Sequence, residues 1–116
     1  MKTHIWVTCK VPGFHQWMGA PADVRFLSDI HRHEFHIKMT VNVSHQDREV
    51  EFFTLQNQLK SHLESAYPKN DYGYSFYNRS CEMIATDILS EFKERGYNII
   101  SVEVSEDNEN GAIVYE

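Results

Sequence analysis

The chain has 116 residues, 41% hydrophobic and 13% aromatic, enough for one modest core and too apolar for a disordered segment. Its net charge of −6 sets 17 acidic residues against 11 scattered basic ones, which argues against nucleic acid as a main partner. No apolar run reaches the roughly 18 residues of a membrane span, no signal-type segment opens the chain, and two cysteines outside any C-x-x-C pair suit a reduced, cytosolic (cytoplasmic) setting.

Residues 1–116 therefore read as a single domain, with seven histidines as the compositional excess. Residues 3–11, "THIWVTCKV", alternate Ile5, Val7, Cys9 and Val11 on one face and predict a first strand that Pro12-Gly13 stops. Residues 14–30 form a long connection, of the kind that often carries function. The next strand, "HRHEFHIKMTVNV", places Phe35, Ile37, Met39, Val41 and Val43 inward, and the same count places His31 and His33 inward as well.

The spacing of Phe52, Leu55, Leu59, Leu63 and Ala66 predicts a helix from Glu51 to about Ala66. "YPKNDYGYSFYNR" reads as a loop. Ser80 is placed to cap a second helix that buries Ile84, Ala85, Ile88, Leu89 and Phe92 and ends at Gly96. A hairpin closes the chain, with Ile100, Val102 and Val104 on its inner face and "DNENG" as its turn. The order is ββααββ, an α+β unit with an antiparallel sheet and two helices on one face.

The inner face of the last hairpin runs on to Glu106, which on pattern alone reads as a strand-end carboxylate reaching water. His31 and His33 pose a sharper question, because H-x-H on a strand puts two imidazoles on one side, about 7 Å apart at the backbone. Zinc takes imidazole and carboxylate ligands, commonly three in a catalytic site. His15, just after the first strand, is the best third ligand, since an antiparallel neighbour would bring it beside the pair. A hydrogen-bonded core histidine is the alternative reading, and the spacing leaves both open.

Six segments in order resemble one family across nearly the whole chain, the 6-pyruvoyl-tetrahydropterin and 6-carboxytetrahydropterin synthases. His15, His31 and His33 match its zinc histidines, with Arg32 in place of the glycine of H-G-H. "VEFFTLQNQLK" is similar to its V-x-D-F-x-x-L-K segment, "RSCEMIATDIL" to P-T-x-E-N, and "VEVSEDNENGAIVYE" to its closing V-x-V-x-E-T…Y hairpin. The resemblance implies the tunnelling fold (T-fold), in which subunits join their sheets into a β-barrel, commonly a homohexamer of two trimers.

It further implies a Zn2+ cofactor and 7,8-dihydroneopterin triphosphate or a related small-molecule pterin as substrate. Glu106 would grip the ring's N–H edge, with Ser80 and Cys81 beside it. The pattern departs at two places. Leu27 stands where the family has its cysteine base, and the Asp-His pair is absent near Tyr67-Pro68. Asp29 is the candidate substitute base, and it also reads as a loop or capping residue. The expectation is a zinc-dependent lyase of pterin or queuosine-type (7-deazaguanine) biosynthesis with a non-standard base. A zinc-containing ligand-binding protein without turnover is the alternative, and a structural oligomer a third.

Overall fold

A computed structural model describes residues 1–116. Its frame is two strands of 13 residues, β1 (Thr3–His15) and β2 (His31–Val43), paired antiparallel along their whole length. Strand alternation turns Val7, Cys9, Phe35, Ile37, Met39 and Val41 into the core and leaves Thr8, Lys10, His36 and Lys38 on the other face.

Both helices, α1 (Phe52–Ala66) and α2 (Cys81–Glu94), begin at a side-chain cap. The Glu51 carboxylate accepts from the N–H groups of Phe53 at 3.1 Å and Thr54 at 2.7 Å, and Ser80 Oγ accepts from Met83 N–H at 3.2 Å. Helix α1 stops because Tyr67 precedes Pro68 and takes an extended φ of −129°. Helix α2 stops at Gly96, whose φ of +98° suits glycine.

Helix α1 lies over β1, and α2 lies over β5 (Ile99–Glu106) and β6 (Asn110–Tyr115). Their buried stripes close a core of 21 residues on one face of the sheet. Fully buried side chains such as Leu59, Ile88 and Phe35 each stabilise this core by about 1.5–3 kcal/mol.

Four features depart from the sequence expectation within the α+β class. The sheet is mixed and six-stranded, because the presumed loop after α1 forms β3 (Lys69–Asn70) and β4 (Gly73–Ser75), and β4 runs parallel to β1. Strands of two and three residues carry too little alternation to be read from sequence.

Strand β1 also continues through Pro12-Gly13 to His15. Pro12 precedes the first residue paired with β4, so that side of the strand is still an edge, where a missing N–H costs the sheet little. A bulge at Thr40/Val41 sets Val41 against Ile99, so Ile99 is buried where Ile100 was expected. The connection from β1 to β2 contains a third helix, a 3-10 helix at Ala22–Ser28. No helix is long and apolar enough to cross a membrane.

Candidate metal centre

The sheet register assembles the site. His15 pairs across the ladder with His31, Gly13 with His33, and Phe35 with Glu106. These residues meet at one end of the inner face, over a floor made by Phe35. That ring is fully buried and meets His15 and His33 edge-on, with centroids 5.2 and 5.7 Å away. Gly13 is required here, since a Cβ would stand 2.6 Å from the Phe76 ring and 2.9 Å from that of Phe35.

Each imidazole is held by the nitrogen that faces away from the cluster. His15 Nδ1 donates to the Arg79 carbonyl, His31 Nδ1 to the Asp29 carbonyl, and His33 Nδ1 to Asp107 Oδ2, all at 2.8 Å. A carbonyl oxygen can only accept, so the Nδ1 proton is fixed in the first two rings, and a carboxylate acceptor favours the same tautomer in the third. Each Nε2 is then left with a lone pair unless it takes a second proton.

Nε2 of His15 and of His33 are buried without a hydrogen-bond partner. Yet Glu106 Oε2 stands 2.5 Å from His33 Nε2 and 3.6 Å from His15 Nε2. Two lone pairs that close repel, so the centre requires a positive charge, either a proton or a metal ion. One ligand atom from each of His15, His31, His33 and Glu106 lies within 4.8 Å of the others. Three imidazoles and a carboxylate, with the far nitrogens tied to oxygen, form a donor set that could hold a metal ion.

The electrostatics agree with the geometry. Burial lowers the His15 pKa, but the Glu106 carboxylate and the Arg79 carbonyl outweigh it and the net shift is upward. Glu106 is held below the ordinary carboxylate range by His15 first, against an opposing effect of burial, with His33 and His31 adding to it. The Cys81 thiol is pushed up to about 12 by burial and by Glu106, so it stays protonated. Its Sγ donates towards Glu106 Oε1 at 3.8 Å.

His15, His31 and Glu106 open onto a cavity of about 330 Å³, lined also by Trp17, Leu27, Ser80, Cys81 and Met83. Ser80 thus serves both as helix cap and as cavity lining. Asp29 does not line this cavity. Its carboxylate makes no hydrogen bond or ion pair, and it touches the cluster through its main-chain carbonyl. Leu27, where the resemblance would place a cysteine base, does line it.

Sequence reading missed Asp107, whose Oδ1 also accepts from Glu34 N–H at 2.8 Å. Its position beside Glu106 in the final turn was the one available signal. It also missed the two carbonyls, which leave no trace in residue type.

No family model matches the chain, and no curated protein does. Among solved structures, the crystal structure of an uncharacterized protein from Wolinella succinogenes is similar, with a TM-score of 0.75 at 13% identity. The match covers 100% of this chain and 99% of that one, so the likeness extends over the entire fold. At this identity it speaks to the fold alone.

Proposed function

We propose that the protein is a zinc-dependent lyase of the 6-pyruvoyl/6-carboxytetrahydropterin synthase type, acting on 7,8-dihydroneopterin triphosphate or a related pterin. The observation that carries the reading is the set of three imidazoles with Nδ1 tied back and Nε2 aimed at one point beside Glu106. His15, His31 and His33 would hold the ion, and zinc at such a centre supplies Lewis-acid polarisation of a substrate oxygen.

Glu106, kept ionised by its neighbours, suits an anchor for paired ring N–H groups, and the Cys81 thiol orients it. Trp17, Leu27 and Met83 give the cavity apolar surface for a flat heterocycle. Glu82 and Glu106 are the two carboxylates lining the cavity, and therefore its candidate bases once the Nε2 lone pairs of His15 and His31 are given to the ion.

The tunnelling-fold assembly is supported by two free sheet edges. Strand β1 pairs on one side only from Thr3 to Pro12, and β6 ends the sheet. Exposed Trp6, Phe52 and Phe53 lie near the first edge, and Ile113 and Tyr115 on the second. Unprotected edges of this kind invite pairing with another copy, consistent with a homohexamer of two trimers.

A second reading is a metal-containing binding protein without turnover. The observation favouring it is Leu27, an apolar side chain where the family keeps its base. Incubating the zinc-loaded protein with 7,8-dihydroneopterin triphosphate and following products by mass spectrometry separates the two. Release of triphosphate with a changed pterin side chain is expected, and tight binding without product selects the second reading. Glu106→Ala is expected to weaken pterin binding while zinc stays. Loss of zinc in that variant would make Glu106 a fourth ligand of a closed, structural centre.

A further inference from the structure

A larger cavity, of about 800 Å³, lies along β1, β2 and β5 beside α1, and none of the four residues of the candidate metal centre lines it. Register decides what lines it. Lys10 on β1 stands opposite His36 on β2, and Thr8 opposite Lys38, so Lys10 and Lys38 are diagonal neighbours about 7–8 Å apart at the backbone. Lys60 reaches the same cavity from α1.

These are three of the six lysines in a chain of net charge −6. Even so, Lys93 is the one lysine with a carboxylate in ion-pair range. Glu103 is the cavity's single carboxylate and faces Lys38 across the ladder, yet the two do not pair. Lys38 is instead steadied over the Trp6 ring, its Nζ 4.8 Å from the centroid. Like charges at neighbouring sheet positions repel. Their concentration in a concave wall focuses a positive field in an otherwise acidic protein.

We propose that this cavity binds the phosphate groups of a small phosphorylated ligand, held by Lys10, Lys38 and Lys60. Ammonium groups on flexible stems suit phosphate oxygens as mobile point charges, and Thr8, Ser105 and Asn108 add neutral donors in the same wall. The volume falls within the range of small-molecule sites. A nucleic-acid track is disfavoured, because the basic residues form a local cluster and no extended stripe. The site shares no residue with His15, His31, His33 and Glu106, so it stands or falls independently of the candidate metal centre.

The test is an amide-shift titration of the zinc-loaded protein with inorganic phosphate and pyrophosphate, paired with calorimetry on variants. Shifts centred on Thr8–Lys10, His36–Lys38 and Glu103–Ser105 are expected, with binding that weakens as salt rises. The triple variant Lys10→Ala, Lys38→Ala, Lys60→Ala should lose at least tenfold in pyrophosphate affinity with its zinc content unchanged. Should that variant misfold, Lys38→Glu alone should give the same loss. Three results would overturn the proposal: shifts centred on residues 15, 31 and 33, equal affinity in wild type and variant, or binding of oligonucleotides only.

Discussion

Asp107 shows how the site is built at the scale of single residues. Its backbone has a φ of +56°, and from that turn one carboxylate oxygen takes the His33 Nδ1–H while the other takes the Glu34 N–H. The ring is thereby fixed in rotation and tautomer. Asp107→Ala is expected to cost about 10–100-fold in metal affinity with the fold intact, measured by competition with a chromophoric chelator. His62 is a different kind of histidine. It is buried on α1 against Phe92, its Nε2 has no partner, and burial lowers its pKa below 6.5. Above pH 6.5 it is neutral in both folded and unfolded chains and contributes no slope. As pH falls below 6.5 the unfolded chain takes the proton first, so stability drops until the folded value is reached. His62→Leu should remove that part of the acid sensitivity, read as the difference in urea midpoints between pH 7.5 and 5.5. The seven histidines thus sort by environment: three converge, and one is a core residue. Strand alternation pointed to His31 and His33, and the antiparallel neighbour to His15, but no sequence signal showed their tautomer-fixing partners, two of which are main-chain oxygens.

Among the elements, β1 and β2 do most of the positioning, since one antiparallel register sets His15 against His31 and Gly13 against His33. Gly13→Val would drive a side chain into Phe76 and Phe35, and overpacking of that kind costs about 1–3 kcal/mol. A matching loss of metal is expected in the same variant, because Phe35 is the floor beneath two ligands. Helix α2 contributes through its first turn. Ser80→Ala removes the cap and should lower stability by about 1 kcal/mol in denaturant unfolding. The long, periodic elements were legible in the sequence to within a residue or two at most ends. Short β3 and β4 and the bulge were not, because they are set by tertiary pairing rather than by local pattern.

At the scale of the whole molecule, the candidate metal centre sits at one end of the helix-covered face, and the lysine cavity shares no lining residue with it. Two sheet edges remain unpaired, and their exposed aromatic residues predict association. Sedimentation should show an oligomer. Phe53→Lys, at a residue 74% exposed in the single chain, should dissociate it without unfolding it. The measurement that bears most directly on the account is the zinc stoichiometry of the metal-stripped protein and of its His31→Ala variant. One tightly bound ion per chain is expected for the wild type, sharply reduced in the variant and retained in His36→Ala, whose ring lies on the opposite face. A wild type that takes up no zinc, or a His31→Ala protein with full occupancy, would contradict it.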